Sequence, residues 1–278
     1  MGLRVTVPAT LVALAIGVGL ATAQTPAPTV TLTANPAGAT LDPGGPIAPG
    51  PTRLNVVRPA GFTKPVNAYV ALLVPGVSVD QLRQSLARDD QSQGEASLGL
   101  VSIQASAALP AGVDRRAVTF TVKPGLQYVV LVEQEVDRGA PPRSLTTFTS
   151  GDQPNGATAP APAATIRMQG LRFRGARTLP RAGTVRFENR DGVAHFGIAF
   201  PLRKGVTTAR LGAALRSDDQ RAAGRVVAGQ PYVAQQVLSG GDTTNDQEVR
   251  FPKAGRYGLV CFIDGHERLG MYRIITVR

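Results

Sequence analysis

The sequence is short of the residues that most often carry chemistry: its 278 residues include one cysteine, two histidines, three methionines and no tryptophan. A single cysteine rules out an internal disulfide, so Cys261 is a buried inert thiol, a link to another chain or a metal ligand. No phosphate-binding loop, nucleophile elbow or His-Glu-x-x-His motif occurs, which removes common signatures of nucleotide, acyl-transfer and peptidase chemistry. Beyond residue 23 no run approaches the ~20 consecutive apolar residues that a transmembrane helix needs. The formal net charge is +11, yet no block of basic residues is interleaved with aromatics, so nucleic acid is not expected as a partner.

What is present begins with an export pattern. Residues 1–23 place one positive charge, Arg4, before an apolar run ending in Ala21-Thr22-Ala23, a small-residue cleavage site ahead of Gln24. This reads as a secretory signal peptide, and with no cysteine after the apolar run no lipid anchor is expected there. The mature chain is expected to be exported to a periplasm, cell envelope or extracellular space, and its length suits two domains. Its basic surface favours acidic partners, anionic envelope polymers or membrane headgroups.

Residues 24–150 carry short runs rich in Val, Leu, Thr and Phe between Gly, Pro and Asp turns, among them Val30–Thr33, Arg53–Val57, Ala68–Val74, Ala117–Val122 and Gln127–Glu133. Such spacing predicts an all-β sandwich or barrel. Gly76–Gln91 departs from it: Val79, Leu82 and Leu86 recur at helical spacing, with Ser78 as N-cap and Asp80 in the first turn. Residues 151–162 are rich in Pro, Ala and Gly, lack hydrophobic periodicity and read as a linker. The strand pattern restarts over 163–278, at Thr165–Phe173, Thr184–Glu188, His195–Phe200, Tyr232–Val237, Glu248–Phe251, Arg256–Cys261 and Tyr272–Val277, with a helical stretch at Thr207–Leu215.

The two halves repeat. GVSVDQLRQSLARDDQ from Gly76 aligns with GVTTARLGAALRSDDQ from Gly205, and the same offset of 129 residues sets Tyr128 on Tyr257. The recurring Asp89-Asp90 and Asp218-Asp219 pairs mark a helix end or turn in each copy. A period this long is a duplicated domain, not a solenoid. Under it Cys261 falls on Val132 and His195 on Val66, and residues 24–150 contain no His, Cys or Met.

The scarce residues gather in one place. Gly255–Met271, GRYGLVCFIDGHERLGM, spaces Cys261, His266 and Met271 by four residues each, and His195 lies in FENRDGVAHFGIAF, a strand–turn–strand pattern. Taken singly each has a plain reading: a small buried hydrophobe for the cysteine, core for the methionine, a hydrogen-bonded side chain for a histidine. Together, one thiolate, two imidazoles and one thioether form the donor set that suits copper, with His, His and Cys in a trigonal plane and a long axial Met. A Cys-His-His set also holds zinc with a water, but a thioether is a poor zinc ligand and a good copper one. Gly265 and Gly270 are expected to let the loop turn back on itself.

These motifs resemble those of the cupredoxins, the blue copper proteins. The C-x4-H-x4-M spacing is similar to that of their rusticyanin, auracyanin and phytocyanin branches. Gly255-x-Tyr257-x3-Cys261 resembles the strand leading into their copper loop, and Phe187-x-Asn189-x5-His195 the plastocyanin-type stretch that supplies the first histidine. Ala194, Phe196 and Asp264 depart from residues common in the family, which bears on redox potential and loop rigidity and leaves the ligands intact. The resemblance covers residues 163–278 and reaches 24–150 only through the repeat.

It implies two tandem cupredoxin-like Greek-key β-sandwich domains, each with a short helical insertion, the first without copper ligands. It implies one type 1 copper per chain, held by His195, Cys261 and His266 with axial Met271, and a one-electron carrier cycling Cu(II)/Cu(I) rather than an enzyme. His266 would be the ligand at the solvent edge, Asn189 or its neighbours would orient the loop, and the partner would be a redox protein, acidic if charge guides it. Multicopper oxidases and copper nitrite reductases share the fold but need several further histidines. A copper chaperone or sequestering protein, and a metal-free structural envelope protein, fit the same sequence.

Overall fold

The computed structural model describes residues 25–35, 37–88, 97, 99–135, 143–217 and 219–278. The signal peptide expected over 1–23, the Asp89-Asp90 pair and Asp218 lie outside them. The first half comprises β1 (Thr29–Thr33), β2 (Thr40–Asp42), β3 (Gly50–Val57), β4 (Val66–Leu73), α1 (Val79–Arg88), β5 (Val101–Leu109), β6 (Arg115–Val122), β7 (Gln127–Gln134) and β8 (Arg143–Thr149). The second comprises β9 (Ala164–Met168), β10 (Phe173–Gly175), β11 (Thr178–Leu179), β12 (Ala182–Asn189), β13 (His195–Pro201), α2 (Thr208–Arg216), α3 (Gln220–Val226), β14 (Tyr232–Leu238), β15 (Thr243–Arg250), β16 (Gly255–Val260) and β17 (Tyr272–Val277). The chain is all-β with short helices, as the turn-punctuated strand pattern predicts.

Three sheets build the sandwiches: β5-β4-β7-β8, β11-β17-β16-β13-β14, and an eight-stranded sheet ordered β10-β9-β12-β15-β6-β3-β1-β2. Alternation sets their inner faces. Thr52, Leu54 and Val56 point inward from β3, and Val185, Phe187 and Asn189 from β12. One core gathers Leu32, Val56, Val66, Val132 and Tyr128, whose ring stacks on Phe148 at 4.8 Å. The other gathers Ile166, Phe187, Leu259 and Phe251 and includes Cys261 and Met271.

The repeat is visible in the strand register. The pairs Val66↔Leu109 and Ala68↔Val132 of the first half, moved on by 129 residues, fall on His195↔Leu238 and on the line that continues Ile198↔Val260. Helix α1 begins at Val79 and α2 at Thr208, the same offset. Helix α1 carries the expected cap, Ser78 Oγ accepting from Gln81 N at 3.1 Å while Gln81 Oε1 accepts from Ser78 N at 2.7 Å, a capping box, and Thr207 caps α2. The positions equivalent to His195 and Cys261 are the buried Val66 and Val132, and a fully buried valine contributes about 1.5–3 kcal/mol of apolar burial.

Four details depart from the sequence reading. First, the halves are not beads on a string. Antiparallel pairing of β6 with β15, at Val118↔Gln247, Thr119↔Asp246 and Phe120↔Asn245, makes one sheet common to both. Second, β15 starts at Thr243, five residues before the expected Glu248, because its inward residues Thr243, Asn245 and Gln247 are polar and hide the alternation. They face a polar seam between the cores, where Gln247 Nε2 donates to Ser106 O at 2.7 Å and Ser106 Oγ to Val237 O at 2.7 Å. Ser239 closes it, its N–H on Ile103 O at 3.1 Å and its Oγ taking Ile103 N at 2.7 Å. Third, the strand expected over Thr165–Phe173 is a hairpin, β9 and β10, broken at residues 169–172 where Gly170 and Leu171 take φ of 61° and 50°. Fourth, a second helix, α3, follows α2, with Asp219 as its N-cap.

Residues 151–162 contain no strand, yet they lie along the first half, with Asn155 N on Pro49 O at 2.8 Å and Asn155 Nδ2 on Pro51 O at 3.0 Å. No helix among the described residues is long and apolar enough to cross a membrane.

Candidate metal centre

The donors arrive from two directions. His195 is the first residue of β13, and Cys261 directly follows the end of β16. After Cys261 the chain makes a 3-10 turn at Ile263–Gly265, reaches His266, and returns to Met271 at the start of β17. Gly265 and Gly270, at φ of 74° and 98°, supply the left-handed conformations that the return requires. Backbone hydrogen bonds from Met271 N to His266 O (2.8 Å) and from Cys261 N to Met271 O (3.1 Å) draw the loop shut.

Of the residues singled out in the sequence, His195, Cys261 and His266 converge, with donor atoms all within 4.8 Å of one another. His195 Nδ1 lies 3.2 Å from His266 Nδ1, and Cys261 Sγ lies 3.9 Å and 3.6 Å from the two nitrogens. The point equidistant from three atoms with these separations is about 2.1 Å from each, within the range of first-row metal bonds to nitrogen and sulfur. The triangle therefore fits one metal ion. Met271 is buried in the same core cluster as Cys261. His195, Cys261 and Met271 are fully buried and His266 is 6% exposed, so the cluster is shielded from solvent with one candidate donor near the surface.

Neighbouring groups fix the first histidine. Asp191, four residues before it, brings Oδ2 to 2.8 Å from His195 Nε2. A carboxylate accepts, so Nε2 carries the proton and Nδ1 turns a lone pair toward the triangle. Burial pushes His195 below the ordinary imidazole pKa; the Asp191 hydrogen bond opposes this and the nearby His266 adds to it. For Asp191 burial works against ionisation, but the Gly170 N–H, the His195 hydrogen bond and the Leu171 N–H together hold its carboxyl below the usual range. Asn189 orients the loop before His195 and not, as expected, the loop from Cys261 to Met271: Nδ2 donates to Val193 O at 2.8 Å and Leu238 O at 2.9 Å, while Oδ1 accepts from Asp191 N at 3.1 Å. It ties the loop before His195 to strand β14.

Sequence reasoning missed Asp191 and Arg172. An acid four residues before a candidate histidine is the signal that could have found Asp191. Arg172, 97 positions from the carbonyl it meets at Leu269, leaves no signal in one sequence.

No protein-family model matches the chain, and no curated protein does. Among solved structures it is similar to auracyanin A, a "blue" copper protein from Chloroflexus aurantiacus, at 25% identity over 41% of this chain and 96% of that one, with a TM-score of 0.28. It is similar to a dithionite-reduced auracyanin from Roseiflexus castenholzii at 20% identity over 42% and 99%, with a TM-score of 0.26. A copper-containing nitrite reductase from Thermus scotoductus aligns at 15% identity over 92% of this chain and 68% of that one, with a TM-score of 0.25. Scores this low carry no argument; the donors and the sheets do. A His-Cys-His cluster able to hold a copper ion, with Met271 in the same buried core, lies where β13 and β16 meet within an all-β sandwich, an arrangement that resembles the cupredoxins.

Proposed function

We propose that the chain is an exported type 1 copper protein that carries single electrons between partner proteins, with residues 163–278 as the copper domain and 24–150 as a copy that has lost the ligands. The observation that supports this is the donor triangle, whose size suits one ion and whose composition, with Met271 in the same buried cluster, suits copper over zinc. Copper bound there supplies a one-electron couple. The chain's own residues hold two imidazoles and a thiolate in fixed positions inside a packed core, so that little has to move when the charge of the centre changes. Carrier is preferred to enzyme because both histidines of the chain already belong to this cluster, leaving none for a second imidazole-bound metal.

Three of the five exposed large apolar residues in the described chain sit in the ligand loops: Val193 two residues before His195, Phe262 after Cys261, and Leu269 two before Met271. Exposed Arg190 and Arg268 share those loops, and exposed Arg172 reaches Leu269 O from the β9–β10 connection. An acidic redox protein with an apolar centre to its docking face suits this surface, and the overall basic charge suits an anionic envelope.

The decisive experiment is Cu(II) titration of the purified protein. Intense thiolate-to-copper visible absorption at one copper per chain, abolished in Cys261→Ser, is expected; a colourless, copper-free wild type refutes the reading. Rapid electron self-exchange separates a carrier from a copper-sequestering protein built on the same ligands.

A further inference from the structure

The hairpin connection between β9 and β10, residues Gln169 to Arg172, touches both loops that carry donors. On one side it meets Asp191: Oδ1 accepts from Gly170 N at 2.7 Å and Oδ2 from Leu171 N at 3.2 Å, and that same Oδ2 receives His195 Nε2 at 2.8 Å. On the other side Arg172 Nη1 donates to Leu269 O at 2.7 Å, between His266 and Met271, and to Leu171 O at 2.9 Å. Its guanidinium lies over Gly270, where an added Cβ would come within 3.0–3.2 Å of it. Leu171 holds φ of 50°, a left-handed conformation that costs a non-glycine residue about 1–2 kcal/mol and persists where its surroundings enforce it.

We propose that residues 169–172 form a clasp that sets the two donor loops against each other before any metal arrives, with Asp191 as the positioning residue for His195. This rests on the reading of the cluster as a copper centre. Asp191 has no proton to give, so it fixes the Nε2–H tautomer and leaves Nδ1 free for the metal. Its charge, one imidazole away from the centre, favours the more positive cupric state. Asn cannot replace it: with Oδ1 kept on Gly170 N, an amide NH2 would stand where Oδ2 meets two N–H donors. In that orientation the clash at His195 is relieved when its proton moves to Nδ1, the nitrogen a metal needs, while the flipped amide would set its NH2 against Gly170 N.

Two variants test the clasp. In metal-free, isotope-labelled protein, NMR of the imidazole nitrogens should show His195 as the Nε2–H tautomer in wild type and a shift toward Nδ1–H in Asp191→Asn. Arg172→Met should leave the tautomer unchanged and speed amide exchange at Leu269–Met271 at least tenfold. With copper, Asp191→Asn should bind Cu(II) about 10–100-fold more weakly, the usual effect of removing a partner from a ligating histidine. If Cu(I) affinity holds, each tenfold loss raises the reduction potential by about 59 mV. An unchanged tautomer in Asp191→Asn, or wild-type exchange in Arg172→Met, overturns the clasp. A wild type that takes up no copper overturns the copper reading instead, and the metal-free arms still decide the clasp.

Discussion

Gly240 offers a steric test of how tightly the His195 loop is held. It follows Ser239, which two hydrogen bonds pin to Ile103 of the first half, and its Cα faces the backbone of the loop before His195. A Cβ there would lie 2.4 Å from Gly192 C, 2.5 Å from Asp191 O and 2.7 Å from Gly192 O. Ordinary contact begins at 3.4 Å, so Gly240→Ala must push the 191–192 backbone away by about 1 Å. The hydrogen bond from Gly241 N to Asp191 O, now 2.9 Å, would stretch beyond bonding distance. Overpacking of this kind costs about 1–3 kcal/mol, which for a chain of this size lowers the melting temperature by roughly 2–12 °C. Asp191 would carry the displacement to His195, so Cu(II) affinity should fall about tenfold or more. Gly192→Ala is the control, since no atom lies within 4 Å of its added Cβ. Thermal melts and chelator competition on both variants read the outcome. A Gly240→Ala protein that melts and binds copper like wild type would refute the claim that the loop is sterically locked.

Asn189→Ala removes the donor to two carbonyls, Val193 O and Leu238 O, and should cost about 1–3 kcal/mol in thermal or denaturant unfolding of the metal-free protein; an unchanged midpoint would show that the loop holds without it. At alkaline pH, burial and then the neighbouring Glu133 push the Tyr69 phenol well above its ordinary value of 10.0, and burial also raises Tyr128 against the hydrogen bond from Lys123 N. The native state favours the neutral phenol, so this contribution is intact below about pH 10 and is lost above it, by at most about 1.4 kcal/mol per pH unit for each group. Tyrosinate absorbance, unobscured because the chain has no tryptophan, should show late-titrating phenols; all five tyrosines ionising together near pH 10 would contradict it.

The convergence of His195, Cys261 and His266 was legible because these residues are rare: a single Cys and two His leave little choice of partners, and the spacing closed a loop that the two glycines then allow. The repeat was legible too, down to the 129-residue offset that reappears in the registers of β4 and β13. What stayed hidden has physical causes. Nothing in Thr243-Thr244-Asn245-Asp246-Gln247 looks like an inward face, because the face it meets is a polar seam and not a core. The break at residues 169–172 falls in a run whose apolar residues continue across it, and it depends on a left-handed leucine that no propensity predicts. Asp191 stands only four residues from His195, but its bond to Gly170 and that of Arg172 to Leu269 span distances that only the folded chain closes.

Pairing between β6 and β15 has a consequence for how this molecule could have changed over time. The half with Val66 and Val132 at the positions of His195 and Cys261 holds no metal donors there, yet it supplies the strand that covers β15. A shortened descendant made of the second copy alone would bare the backbone donors and acceptors of β15 along its edge, an open invitation to unintended strand pairing. A half with valines at the donor positions thus serves the other as an edge cover, which would make it indispensable to the fold.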